Sequence, residues 1–189
     1  DCAWLAGHSS HAMRRQLPAE LANAASTGIK PRDMPTSISF EGCGAAISYH
    51  LAVYEAACQA YGRQQLQSAK IKFVGTSSGS IAALIAALGL DAQYWKERLL
   101  QLWVPMGEQC KGLLQVDYYV VLALDEILAS FPGSASEHLT GRLYVSMTHF
   151  PMKNIMMSKW KSNWHIKKCV LASCFIPVAF LRPVPDGKC

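Results

Sequence analysis

Two strand, glycine-turn, helix units follow one another between residues 37 and 90, and few architectures accommodate that succession. "SISF" (37–40) is a short apolar run broken by "EGCG". From Ala45 to Tyr61 the residues Ile47, Leu51, Val53, Tyr54, Ala57 and Cys58 recur at helical spacing, with Gly62 as the stop. "IKFVG" (71–75) is a second strand, "TSSG" a second turn, and Ser80 to Leu88 a second helix of small and apolar residues. Strands joined by a helix that carries the chain back to the starting edge lie parallel, so the pattern predicts an α/β fold. With 189 residues, 51% of them hydrophobic, the chain can build one domain with a sizeable core.

Outside these units the pattern varies. Residues 1–36 show no sustained period beyond a short helical stretch at "QLPAELANAA" and read as a poorly specified leader ahead of a domain over 37–189. Asp91 is placed to cap a helix over "AQYWKERLLQLW", and Asp117 to cap another running to Phe131 before Pro132-Gly133. "RLYVSMTHF" and "NIMMSKW" predict a hairpin with its turn between Pro151 and Asn154. "SNWHIKKCVLASCF" predicts a helix from Ser162 up to the break at Pro177.

The seven cysteines are odd in number and widely spaced, without a Cys-x-x-Cys pair or a nearby histidine at metal-ligand spacing, which predicts reduced thiols and no metal site. The longest uncharged apolar stretch, Ile81 to Leu90, is too short to cross a bilayer. From Lys153 onward there are seven Lys or Arg against one acid, Asp186; such a basic C-terminal segment reads first as a solvated lysine face and second as a surface for anionic lipid. These residues are not interleaved into the compact arginine and aromatic patch that nucleic-acid binding needs.

Gly75-Thr76-Ser77-Ser78-Gly79 fits Gly-x-Ser-x-Gly, with Ser77 central. A serine on a sharp strand-to-helix turn points its hydroxyl outward, and the positions two before and two after crowd together, so Gly75 and Gly79 must lack a Cβ. The following helix aims its N-terminal amides at the same place. The first turn, Gly42-Cys43-Gly44-Ala45, can offer backbone N–H groups to a developing oxyanion. "GCGAAI" also partly matches the dinucleotide fingerprint, but Ile47 stands at its third glycine and no acid follows the second strand to hold a ribose. Of the histidines, His149 and His165 lie late enough to serve a Ser-His-acid triad, but neither follows an acid at a strand end, and each reads first as a surface or packing residue; the alternative base is a carboxylate paired directly with the serine.

At these residues the chain resembles the patatin-like phospholipases, and within them the adipose triglyceride lipase branch. "ISFEGCGAAISYHLAVYEA" is similar to that branch's first strand, oxyanion turn and helix; "FVGTSSGSIAA" to its elbow; "SEHLTGRLYVSMTH" and "CVLASCFIPV" to its later blocks, in the family's order. The resemblance implies a three-layer α/β sandwich with a mainly parallel sheet and a Ser-Asp dyad with no catalytic histidine. Ser77 would be the nucleophile on acylglycerol or phospholipid esters, with amides of Gly42, Cys43, Gly44 and Ala45 as the oxyanion hole and no metal or cofactor. It further implies a cytoplasmic protein acting peripherally at a membrane or lipid-droplet surface. The family's dyad aspartate sits in Asp-Gly-Gly or Asp-Gly-Ala; Asp186-Gly187-Lys188 meets that motif only in part. The dyad aspartate is therefore expected beyond Cys189 in a domain truncated at its C-terminus, with Asp186 as the candidate inside the chain. The family's oxyanion turn also closes with a glycine where this chain has Ile47, which keeps open a non-catalytic relative that binds lipid surfaces or partners.

Overall fold

The computed structural model describes residues 34–68, 71–108, 116–149 and 153–175, all within the unit Asp33–Cys189. Four strands form one sheet in the order β1 (Ser37–Phe40), β2 (Lys72–Thr76), β3 (Leu143–His149), β4 (Lys153–Met157). The first three run parallel, because helices separate them in the chain; β4 returns antiparallel on β3 after a short connection. Phe40 pairs with Gly75, and Gly75 with Val145, so the ends of β1 and β2 meet at one edge of the sheet. Phe40, Phe73, Leu143 and Val145 are buried on one face, while Ser39, Lys72 and Tyr144 alternate onto the other.

Helices α1 (Ile47–Tyr61), α2 (Arg63–Ser68) and α3 (Ser78–Ala87) belong to the two glycine-turn units. The steps from β1 to β2 and from β2 to β3 go the same way across the sheet, so right-handed crossovers put α1 and α3 on the same face. Every residue of α3 is buried. A helix apolar all round belongs in the centre of a core, and its alanines, Ala82, Ala83, Ala86 and Ala87, let it lie close to β2. Tyr54 of α1 packs edge-on against Phe73, and its hydroxyl accepts from Gln67 Nε2 at 3.0 Å and donates to the Ala86 carbonyl at 3.3 Å. Burial pushes its phenol well above the usual tyrosine range.

The remaining helices are α4 (Ala92–Glu108), α5 (Val116–Ala129), α6 (Ala135–Leu139) and α7 (Asn163–Cys174). Asp91 caps α4 as expected, its Oδ1 accepting from the Tyr94 N–H at 2.7 Å. Ser162 caps α7 in the same way, accepting from the His165 N–H at 3.1 Å. Arg98 of α4 makes a two-pronged ion pair to Glu126 of α5, both contacts 2.7 Å.

The mainly parallel α/β class holds. The described residues supply the sheet and one helical layer of the expected sandwich. Local boundaries differ from the sequence reading for physical reasons. Residues Gly44–Ala46 form a single 3-10 turn, closed by the Ala46 N–H on the Cys43 carbonyl at 3.1 Å, so α1 starts at Ile47 rather than Ala45. Helix α3 begins two residues early, at Ser78, because the sharp conformation of Ser77 lets the helix follow at once. Asp117 sits inside the first turn of α5, accepting from the Tyr118 N–H at 2.9 Å, instead of preceding the helix. Helices α2 and α6 are unanticipated, since five or six residues are too few to show a helical period.

Candidate active site

Ser77 lies between the end of β2 and the start of α3 with φ 54° and ψ −134°, and among the described residues it alone combines a side chain with positive φ. A Cβ raises the energy of that region by about 1–3 kcal/mol, so the surroundings must hold it there. They do so from both sides. The Ser77 carbonyl accepts from the Ser80 N–H at 2.8 Å and from the Ser80 hydroxyl at 2.5 Å. The Ser77 N–H donates to Ser173 Oγ at 2.8 Å, and the Ser173 hydroxyl donates to the Ser146 carbonyl at 2.6 Å. With its backbone engaged on both sides, Ser77 keeps its Oγ outside these bonds, half-buried at the sheet edge.

The two glycines of the pentapeptide meet the requirement stated for them. A Cβ on Gly75 would fall against the Cα of Ser80, and a Cβ on Gly79 would fall on the carbonyl oxygens of Phe40 and Glu41. Both clashes are with backbone, which cannot move aside, so β1, β2 and α3 approach at a distance that only glycine permits. Gly79 thus joins the second unit directly to the end of β1.

That close approach brings the first glycine turn to Ser77. A Cβ built on Gly42 would lie 3.2 Å from Ser77 Cβ and 3.8 Å from its Oγ. Gly44 has φ 55° with nothing within 4 Å of the space a Cβ would take, so there the need for glycine is conformational. Gly42, Gly44 and Ala45 are exposed and Cys43 is half-buried. The Cys43 N–H donates to Ser78 Oγ at 3.0 Å, and the Cys43 thiol lies 3.3 Å from that hydroxyl. His50 of α1 holds the same turn from behind: Nε2–H donates to the Glu41 carbonyl at 2.8 Å while the ring stacks edge-on to Phe40.

Ile47, which the sequence set at the closing position of the turn, lies one residue past the 3-10 turn, and its side chain is 1% exposed in the core. It packs the fold from beneath the turn. Cys174, behind Ser80 at 4.0 Å, is buried, and burial pushes its thiol up to about 12. His165 is buried at the start of α7, where its Nδ1 accepts from the Lys161 N–H at 3.2 Å; burial, with Lys161 and Lys168 nearby, lowers its basicity. It serves the helix start.

Among the described residues no histidine hydrogen-bonds to Ser77, and no group of three or more His, Cys, Asp or Glu could hold a metal. Asp186 lies outside the described residues. The sequence does not single out Ser173: an isolated serine in a helix of small residues carries no local signal, and its partner is 96 positions away.

A parallel α/β sheet carrying a serine on a strained strand-to-helix turn, with a glycine turn pressed against it, defines an α/β protein with a serine elbow. Comparison with known proteins narrows the class. The chain is 27% identical over 168 residues to the omega-hydroxyceramide transacylase of Mus musculus, covering 82% of this chain and 26% of that protein. It is 25% identical over 150 residues to the human patatin-like phospholipase domain-containing protein 2, covering 78% of this chain and 29% of that one. To the mouse 1-acylglycerol-3-phosphate O-acyltransferase Pnpla3 it is 24% identical over 144 residues, covering 75% and 34%. The likenesses support the patatin-like family, and the chain spans between a quarter and about a third of the length of the curated relatives it matches. No protein-family model matches the chain, and no solved structure does. No helix among the described residues is long and apolar enough to cross a membrane.

Proposed function

We propose that this chain forms the core of a serine lipid acyl hydrolase domain acting on carboxylic esters of acylglycerols, as a triacylglycerol lipase or a phospholipase A. The observation that carries the reading is Ser77 itself, held at φ 54° beside Gly42 with its hydroxyl outside the bonds that fix its backbone. In this reading Ser77 Oγ attacks the ester carbonyl and its proton passes to a carboxylate base; the C–O bond to the leaving alcohol then breaks, and the alcohol takes that proton. Water next attacks the acyl-enzyme, the carboxylate accepting its proton, and the acid leaves as Ser77 recovers its hydrogen. The tetrahedral oxyanion is stabilised by amides of the turn at residues 42–45, with the Ser78 hydroxyl, which takes the Cys43 N–H, holding that turn in shape. The base is an aspartate carried after α7, either Asp186 or one further along the longer protein. The relatives' names, a transacylase, a phospholipase and an acyltransferase, support acyl chemistry on lipids. The protein in this reading is cytoplasmic and works peripherally at a membrane or lipid-droplet surface.

A fluorophosphonate probe tests the reading. The full-length protein should be labelled at Ser77 and lose labelling and esterase turnover in Ser77→Ala, with the fold intact by circular dichroism. No labelling of the folded full-length protein overturns it. Asp186→Asn in the same background separates the two places for the base: loss of turnover assigns Asp186, and retained turnover assigns a later aspartate.

A further inference from the structure

Ser173 takes no part in the chemistry just described, yet it makes the longest-range side-chain contact at the site. It sits one residue before the end of α7, between Ser77, just past the end of β2, and Ser146 in the middle of β3. Its oxygen accepts the Ser77 N–H at 2.8 Å, and its proton goes to the Ser146 carbonyl of β3 at 2.6 Å. Both bonds are short for their kinds, and together they use the hydroxyl as donor and acceptor at once. The relay lies just past the β2–β3 ladder, whose register stops at Thr76 with Ser146, at the residue where φ turns to 54°. A half-buried hydroxyl thus stands where the next ladder bond would have been.

We propose that Ser173 is a positioning residue for Ser77: by holding the nucleophile's backbone N–H against β3, it sets the aim of Ser77 Oγ and makes the elbow depend on the docking of α7. The inference rests on the reading of Ser77 as nucleophile. Ser80 fixes the carbonyl side of the same residue from within α3, so the elbow is pinned by one local and one distant contact. Only the distant one carries information about whether α7 is in place. A Cβ-level misplacement of the attacking oxygen by about 1 Å can cost 100-fold in rate, so the loss of this tie should be read in reactivity before it is read in global stability.

The test uses the full-length protein and two readouts on Ser173→Ala and Ser173→Thr. Hydrogen exchange of the Ser77 amide reports the bond itself; Ser173→Ala should remove its protection while Phe73, Val74 and Gly75 keep theirs, and Ser173→Thr, which retains the hydroxyl, should restore it. Fluorophosphonate labelling resolved into probe affinity and maximal rate reports the aim: Ser173→Ala should lower the maximal rate about 10- to 100-fold with affinity unchanged, and Ser173→Thr should recover most of it. An unchanged maximal rate in a folded Ser173→Ala overturns the proposal, as does an equal fall in both variants, which would assign the effect to packing. If Ser173→Ala fails to fold, Ser173→Cys, near-isosteric with a poorer donor and acceptor, is read by the same criteria. Absence of labelling in the unmodified protein overturns the nucleophile reading instead, and the exchange result then decides the Ser77–Ser173 tie alone.

Discussion

The backbone N–H of Cys43 donates to the hydroxyl of Ser78 at 3.0 Å, so the residue after the elbow serine grips the glycine turn that faces it. Removing the grip should loosen the turn without dismantling the sheet. Ser78→Ala is expected to cost about 1 kcal/mol in denaturant unfolding, the net worth of one part-buried hydrogen bond, and to lower the rate of fluorophosphonate labelling about tenfold. Ser78→Thr, which keeps the hydroxyl, should label near the unmodified rate. Equal labelling by all three proteins would show that the turn holds its shape without Ser78.

Backbone strain at Ser77 separates stability from reactivity. Its φ of 54° is one that glycine adopts freely and alanine does not. Ser77→Gly and Ser77→Ala should both abolish labelling, but Ser77→Gly should be the more stable of the two by about 1 kcal/mol in chemical denaturation. A Ser77→Ala protein as stable as Ser77→Gly would mean that the elbow relaxes to an ordinary conformation once the hydroxyl is gone.

The glycines divide by the reason each is needed. Gly79→Ala places a methyl on two main-chain carbonyls, and Gly75→Ala places one on the Ser80 backbone, so each should cost more than about 3 kcal/mol or prevent folding. Gly44→Ala meets open space and pays only for positive φ, about 1 kcal/mol. Thermal melts of the three variants rank them, and a Gly44→Ala as damaging as Gly79→Ala would contradict the assignment.

His165 makes stability depend on pH near neutrality. Burial, helped by Lys161 and Lys168, lowers its folded pKa below 6.5, so between the folded pKa and 6.5 the unfolded chain binds more protons than the folded one. Stability should therefore be full above about pH 6.5 and fall as pH drops through that window. Unfolding curves from pH 7.5 to 5 on the unmodified protein and His165→Gln should differ in slope, the variant being flatter. Parallel slopes would remove His165 from the account.

Asp91 acts at the acid end with the opposite sign. Its acceptance of the Tyr94 N–H, together with Arg63 at 3.2 Å, lowers its pKa from the ordinary 3.8, so its contribution is present above that value and lost as pH falls through the folded pKa. Asp91→Ala should cost about 1 kcal/mol at pH 7 and less below the folded pKa, where only the neutral cap remains, while Asp91→Asn, still a cap, should cost less throughout. A cost for Asp91→Ala that persists undiminished at low pH would argue against the cap.

Most of the frame was legible in the residues because the signals are local. The two strand, glycine-turn, helix units each carry their own period and breaker, and β1, α1, β2 and α3 fall within two residues of where those signals put them. The pentapeptide likewise announces its crowding: Gly75 and Gly79 are small because the backbones that they must clear belong to adjacent elements. Ile47 shows the limit of such signals, since it stands both in the apolar period of α1 and at the place where the resemblance expects the turn's closing glycine. Whether a residue three past a glycine faces a site or a core depends on one 3-10 turn, and no period spans three residues.

By itself the sequence determined the α/β class, the parallel pairing that helical crossovers enforce, and Ser77 as the hydroxyl set on a turn between a strand and a helix. Those are consequences of short-range sterics and periodicity. Only the tertiary structure decided that Gly42 lies against Ser77, that Ser78 takes the Cys43 amide, and that Ser173 and Ser146 carry the elbow's N–H from 96 and 69 residues away. Such contacts join polar groups that have no preference for one another in sequence. They are selected because the close-packed sheet and helices leave each buried N–H and carbonyl one reachable partner, and leaving it unmade costs more than any local propensity.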